Sequence, residues 1–359
     1  MSHFDAMALG HDVTIGDIQS LERFQAISHG KSRFIAMTKF FFCMTVDTEP
    51  DDLWRNTGKQ TFRHFDQLLS FHENLAARGA RPTYLTTSEV VENQSSRKVM
   101  ERIVNTGTAK IGAHFHSWTR SWPFQLPDLG TPPVHANAHQ LGQSYEEQML
   151  DYTCRATKRT LGIQPTSFRG GRWSLNGQSV KSLTNCGINV DTTITPGISW
   201  EDSSHPLQSG PDFRDYPRYP FYVSRESLEP KSEGSVLELP VGSNFIPDRT
   251  TALDHSFPRK VTRKVWNTLG RSYGALWLRP TLQSSTQLRC CLKGMHRDSV
   301  PVWVAMIHSS EIIPCKPLPT EREVSRFIDR CYTLVDYARK LGATCETLEE
   351  VRSYYERKN

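Results

Sequence analysis

The sequence predicts an α/β protein built as a parallel β/α barrel, and three observations carry that reading. After residue 39, short continuous apolar runs alternate with longer amphipathic stretches, the signature of repeated strand–helix units and a parallel sheet. About seven such strands fit into 359 residues, which favours a barrel over an open sheet. Three of the strands end in side chains that bind metals or move protons, at the carboxyl ends where barrels carry their functional groups.

The elements follow in order. Phe40 to Val46 reads as a buried strand, and Thr61 to Arg78 as a helix with Phe62, Phe65, Leu68, Leu69, His72 and Leu75 near one face, stopped by Gly79. Arg81 to Thr86 is a second strand, Arg97 to Asn105 a short helix and Lys110 to Phe115 a third strand. The Pro-, Gly- and His-rich stretch from Trp118 to Gln143 is too long for an ordinary connection and reads as a lid or wall. Ser144 with Glu147 has the spacing of a capping box and opens a helix to about Leu161.

Strands follow at Pro165 to Arg169, Ile188 to Thr193, Val236 to Val241 and Val302 to Ile307, with a helix at Gly177 to Asn185. Glu321 to Leu341 is a long amphipathic helix, and a last helix, Thr347 to Glu356, follows Ala343 to Cys345. Residues 197–234, rich in Pro, Ser and Tyr, read as an irregular insertion, and 243–298 gives no clear pattern. The division expected is an N-terminal arm or cap over 1–37 and one barrel domain over 38–359.

Composition excludes several classes. The formal net charge of +5 is a near balance of 43 basic and 38 acidic residues with no basic tract, so no nucleic-acid partner is expected. The eight cysteines form no C-x-x-C pair and lie mostly in apolar stretches, as reduced core thiols do. No apolar run is long enough to span a membrane. Residues 1–17 carry Asp5, His11, Asp12 and Asp17 in place of a basic region followed by an apolar one, which points to a cytoplasmic location. The oligomeric state is not encoded legibly.

The loaded strand ends are Asp47-Thr48-Glu49, His114-Phe115-His116 and His308-Ser309-Ser310-Glu311. Alternate residues of a strand share a face, so Asp47 and Glu49 point one way, as do His114 and His116. Two imidazoles and one or two carboxylates converging on one space suit a divalent metal carrying a water, which is hydrolase chemistry. Arg169 and Asp191 close two further strands, so five strand ends carry Asp, His, Arg, Asp and His in sequence order.

At these residues the chain resembles a known family. Phe42 to Asp52 (FCMTVDTEPDD), Ile111 to Trp118 (IGAHFHSW), Phe168 to Trp173 (FRGGRW), Asp191 to Gly197 (DTTITPG) and Ile307 to Glu311 (IHSSE) resemble, in order and spacing, the motifs of the polysaccharide deacetylase superfamily. This is also called the NodB-homology or carbohydrate esterase family 4 domain; the likeness is to a divergent branch with D-T-E and H-x-H-x-W motifs and covers roughly residues 38–350. The resemblance implies an irregular (β/α)7 barrel, a bound divalent metal such as zinc, cobalt, nickel or manganese, a carbohydrate substrate, and removal of an N-acetyl group from an amino sugar.

It also implies roles. Asp47 resembles the catalytic base, Glu49 (or Asp51 or Asp52) the metal carboxylate, and His114 the first metal histidine. Arg169 resembles the arginine that orients the base, and Asp191 the partner of His308, which in the family protonates the departing amine.

This chain departs from the family pattern in two places. The first motif lacks consecutive aspartates, which leaves Asp47 open as a ligand in place of Glu49. Position 118 is tryptophan where typical members place the second metal histidine, so His116 becomes the substitute, with His135 and His139 as further candidates.

Trp118, Arg172, Trp173, Trp200 and Glu311 are the candidate substrate contacts, the aromatics through stacking on sugar faces. Three other readings stand beside deacetylation. They are an inactive carbohydrate-binding relative, a glycoside hydrolase using a carboxylate pair such as Asp47 and Glu238, and a hydrolase of another C–N amide.

Overall fold

The computed structural model describes residues 39–51, 53, 60–118, 122–125, 137–201, 209–224, 226–245 and 275–358. The expected arm over 1–37, Asp52 and His135 lie outside them. The architecture is mixed α/β around one parallel-rich sheet.

Strands β1 (Phe41–Thr48), β2 (Thr83–Thr86), β3 (Lys110–Phe115), β4 (Ser167–Gly170) and β5 (Val190–Asp191) pair side by side in sequence order, all parallel. Helices α1 (Phe65–Ala77), α2 (Ser88–Glu92), α3 (Gln94–Asn105), α4 (Gln143–Leu161) and α5 (Gly177–Asn185) connect them. The hairpin β6 (Phe221–Ser224) and β7 (Ser227–Lys231) lies antiparallel beside β8 (Val236–Glu238), which is itself parallel to β5. A separate antiparallel pair, β9 (Ser243–Phe245) and β10 (Ala275–Trp277), precedes α6 (Ser285–Arg297). The chain ends with β11 (Val302–His308), parallel to β1, then α7 (Glu321–Lys340), β12 (Thr344–Cys345) and α8 (Leu348–Glu356).

Seven strands therefore run parallel in the order β11-β1-β2-β3-β4-β5-β8. The two ends of that run meet through single bonds. Val241, just past β8, forms a parallel bridge with Val304 of β11, and the Gly242 N–H donates to the Val304 carbonyl at 2.8 Å. Leu278, just past β10, donates to the Gly242 carbonyl at 2.8 Å and accepts from the Met306 N–H at 3.0 Å.

Period-2 patterning explains which side chains face the centre. Along β1, Phe42, Met44 and Val46 pack in one cluster with Leu68 of α1 and Phe327 of α7. Phe41 and Cys43 point the other way, into a cluster with Leu237, Val302, Val304 and the α8 residues Leu348 and Val351. The same face continues through Thr45, Asp47 and Glu49, all buried. One strand face thus changes from apolar to ionisable as it runs toward its carboxyl end.

Two local expectations are corrected. The Ser144–Glu147 capping box does not form, because α4 starts at Gln143 behind Gly142 (φ 99°), and Ser144 sits inside the first turn with its Oγ accepting from Gln148. The span 197–234, expected to be irregular, carries the β6–β7 hairpin. Within 243–298, α6 is opened by a reciprocal capping box between Ser284 and Gln287.

Candidate metal centre and active site

Strand register sets the site. Asp47 of β1 is the register partner of His308 on β11, and His114 of β3 is the partner of Arg169 on β4. Partners on adjacent parallel strands point the same way, so four ionisable side chains from four strands share one end of the sheet. Glu49 and His116 each lie two residues further along, on the same faces.

Glu49, His114 and His116 are all buried, and their ligand atoms lie within 4.8 Å of one another. The Nε2 atoms of the two histidines are 3.2 Å apart, and Glu49 Oε2 is 3.1 Å from His116 Nε2 and 3.5 Å from His114 Nε2. A tetrahedral ion with bonds of about 2.0–2.1 Å needs donor atoms separated by about 3.3–3.4 Å, so this triangle has the size of one face of such a site. The donor set of two imidazoles and a carboxylate matches zinc and its first-row neighbours. The residues present therefore fit a divalent cation.

The neighbours orient these ligands. His114 Nδ1–H donates to the Arg169 carbonyl at 2.7 Å, which turns the Nε2 lone pair toward Glu49. A Cβ on Gly171 would come within 2.5 Å of His116 Nδ1 and 2.4 Å of the Phe115 carbonyl, so the second glycine of F-R-G-G-R-W makes room for that ring. Trp118 packs over His116 with ring centroids 4.5 Å apart. The Glu49 N–H donates to Ser309 Oγ at 3.4 Å, and Ser309 lies 3.0 Å from Nε2 of buried His64.

Electrostatics separates the two carboxylates of the first motif. Burial disfavours the charged form of Glu49, but the His114 and His116 imidazoles outweigh it and hold its carboxyl well below the usual range. Burial likewise opposes ionisation of Asp47; Arg169, then His114 and His308, pull its pKa below the ordinary value. Arg169 Nη1 donates to Asp47 Oδ1 at 2.7 Å, and its other donors are spent on Thr45 Oγ1, the Thr192 carbonyl and Thr192 Oγ1. Asp47 is thus tied to Arg169, while Glu49 faces the imidazoles.

His308 differs from expectation. The Asp191–His308 pair does not form. Asp191 accepts from the Thr193 N–H and hydroxyl at 3.0 and 2.8 Å and lies beside Glu238, its register partner on β8. His308 is held by Arg279, whose Nη2 lies 2.6 Å from His308 Nδ1, and by Glu311, which accepts the His308 backbone N–H at 2.9 Å. Its Nε2 lies 3.8 Å from Glu49 Oε1. Arg279 and Glu311 are themselves joined by two bonds of 3.1 and 2.6 Å, and that guanidinium overcomes burial to hold the Glu311 carboxyl down at about 2.

Beside the cluster is a cavity of about 320 Å³ lined by Asp47, His114, His116, Arg169, His308 and Arg279 at one end. Arg172, Trp173, Trp200, Trp277, Met306 and Leu282 also line it, with Gly170 and Gly210. Trp173 and Trp200 stack with centroids 5.4 Å apart, and Trp277 meets both, at 5.8 and 6.1 Å. Arg172 and Trp173 hold left-handed backbone conformations (φ 56° and 62°), a strained pair that turns both side chains toward this space.

Of the candidate substrate contacts, Arg172, Trp173 and Trp200 line the cavity. Trp118 instead covers His116, and Glu311 lies behind His308 as the partner of Arg279. His139, a reserve ligand, is bound to Ser174 Oγ at 2.8 Å, and burial lowers its pKa to about 4. Trp277, Arg279 and His64 were missed. The first two fall in the span without readable periodicity, and His64 precedes a helix with no motif around it.

Among the described residues, no helix is long and apolar enough to cross a membrane. No protein-family model matches the chain, and no curated protein matches it. Solved structures similar to it include a candidate polysaccharide deacetylase from Mycobacterium smegmatis, at 15% identity over 90% of this chain and 93% of that one, TM-score 0.49. The Bc1960 peptidoglycan N-acetylglucosamine deacetylase is similar at 13% identity over 87% and 88%, TM-score 0.43. So is a 4-alpha-glucanotransferase from Thermococcus litoralis, at 12% identity over 88% of this chain and 40% of that one, TM-score 0.44.

Proposed function

We propose that this chain is a metal-dependent hydrolase that removes an N-acetyl group from an amino sugar in a glycan or glycan precursor. The observation that carries the reading is the triangle of Glu49 Oε2, His114 Nε2 and His116 Nε2, with donor separations of 3.1–3.5 Å, opening on a cavity that Asp47 and His308 also line. A divalent cation held by these three groups supplies the Lewis acidity that polarises an acyl oxygen and makes water acidic near neutral pH.

The chain's own groups do the rest. Asp47, kept ionised by Arg169, accepts the proton of the attacking water as the C–O bond forms. Its low pKa makes it a weak base, which suffices only where the water is already acidified. Arg169 fixes the carboxylate in place through its four bonds to β1 and Thr192. When the C–N bond breaks, the nitrogen leaves as an amine only after taking up a proton. The stacked Trp173 and Trp200, with Trp277 beside them, offer apolar faces to a pyranose ring, and the about 320 Å³ cavity has room for one sugar unit and its acetamide.

The test uses the full chain, stripped with chelator and reloaded with zinc, cobalt, nickel or manganese, against a panel of N-acetylated sugars and glycans. Stoichiometric cation uptake and cation-dependent acetate release are expected. Uptake of no cation and release of no acetate, with glycan binding retained, would mean an inactive binding relative. New reducing ends without acetate would mean a glycosidase.

A further inference from the structure

We infer that Arg279 is a positioning residue that fixes His308 in the tautomer with its proton on Nε2 and turns that N–H toward the space beside Glu49. A guanidinium has donors only, so the 2.6 Å contact between Arg279 Nη2 and His308 Nδ1 requires Nδ1 to be the acceptor. A proton on Nδ1 would stand against the hydrogens of Nη2. The competing acceptor for such a proton, Glu311 Oε1, is further away at 3.4 Å and already takes an Arg279 hydrogen at 2.6 Å. Nδ1 is therefore bare, and the ring hydrogen sits on Nε2, the atom 3.8 Å from Glu49 Oε1.

Arg279 has little freedom to do otherwise. It is 6% exposed, and its Nη1 donates to the Met306 carbonyl at 3.2 Å and to Glu311 Oε2 at 3.1 Å. Its backbone follows Leu278, which is bonded to both Gly242 and Met306. Glu311 completes the clamp by accepting the His308 backbone N–H. Arg279, Glu311 and His308 thus form one unit in which the arginine position decides the tautomer.

The consequence reverses what a carboxylate partner would impose. Asp191 beside His308 would demand a proton on Nδ1 and leave Nε2 as an acceptor. With Arg279 in that place, Nδ1 is the acceptor and Nε2–H is a hydrogen-bond donor. In the hydrolysis proposed above, on which this step alone rests, His308 lends a hydrogen bond to the acyl oxygen or departing nitrogen. The proton taken by Asp47 from water is then the one that passes to nitrogen as the C–N bond breaks, giving the free amine and acetic acid, which loses its own proton to solvent and leaves as acetate.

The experiment is nitrogen-15 NMR of histidine-labelled, chelator-treated full chain, with the His308 signals assigned by their loss in His308→Gln. A protonated Nε2 and a bare Nδ1 are expected in the wild type. Arg279→Met removes the donor and leaves Glu311 as the nearest partner, so the proton moves to Nδ1. Arg279→Lys retains a donor and the original tautomer, and shows that any change in the methionine variant is not general unfolding. Wild-type signals of a protonated Nδ1, or no change in Arg279→Met, would overturn the inference. Where acetate release is measured, Arg279→Met is expected to lower kcat about 10²-fold with KM little changed, as for loss of one preorganised donor. Absence of acetate release from the wild type would sink the deacetylase reading while leaving the tautomer result in force.

Discussion

Glu49 and Glu238 are both fully buried glutamates near the carboxyl ends of parallel strands, yet their carboxyls are driven in opposite directions. Glu49 faces His114, His116 and His308, and these groups overcome the cost of burying its charge. Glu238 faces Asp191, so burial and a neighbouring carboxylate act together and push its pKa well above the ordinary range. Glu238 Oε1 accepts the Ile194 N–H at 3.1 Å. Burial alone therefore does not mark a functional carboxylate; the sign of what surrounds it does. Glu49 is held charged by the imidazoles around it, and Glu238 is pushed toward its neutral form.

The sharpest way to break this comparison is to remove the charge from Glu49. Glu49→Gln keeps the shape and deletes the anionic ligand, so cation binding by titration calorimetry should be lost. Any cation-dependent turnover should fall at least about 10³-fold, roughly 4 kcal/mol in the barrier. A variant that still takes up one equivalent of cation with undiminished turnover would show that Glu49 is not a ligand and that Asp47 is the working carboxylate.

The contrast also shows what could be read from sequence and what could not. Asp47, Glu49, His114, His116 and His308 were legible because each strand is a short local pattern whose period of 2 fixes side-chain direction. Arg169 was legible for the same reason, and its tie to Asp47 was implied by the family resemblance alone, since β2 and β3 lie between their strands. The partner of His308 was not legible. Arg279 lies 29 residues before His308 and is brought there by the bonds of Leu278 to Gly242 and Met306, which no periodicity announces. The pairing of Asp191 with Glu238 depends likewise on the register of β5 with β8. The Ser144–Glu147 spacing misled because Gly142, with its positive φ, starts α4 one residue before Ser144.

A third buried glutamate tests the electrostatic part by pH. Glu146 receives one hydrogen bond, from Ser179 Oγ at 2.9 Å, and burial raises its pKa from 4.5 to about 7. A raised carboxyl binds its proton more tightly in the folded chain, so its stabilising effect is complete below 4.5 and is lost as pH rises through about 7. Urea unfolding of wild type and Glu146→Gln should show the variant gaining roughly 2–3 kcal/mol relative to wild type between about pH 5 and about pH 8, at about 1.4 kcal/mol per unit. Parallel pH profiles for the two proteins would show that Glu146 is already ionised in the folded state.

The smallest effect is expected where the comparison began. A protonated glutamate and a glutamine have the same shape, one acceptor oxygen and a donor on the other terminal atom. Glu238→Gln can therefore offer a neutral donor beside Asp191 and keep the acceptance of the Ile194 N–H, and its cost should stay within about 1 kcal/mol. The identical substitution at Glu49 replaces an anion that three imidazoles face, and cation binding has nothing to fall back on. Denaturant midpoints and cation titrations on the two variants, run side by side, read both halves. A Glu238→Gln protein that loses several kcal/mol would mean that the Asp191–Glu238 pair is charged after all. Arg169, which acts electrostatically on both members of that pair, would then be the cation holding it together.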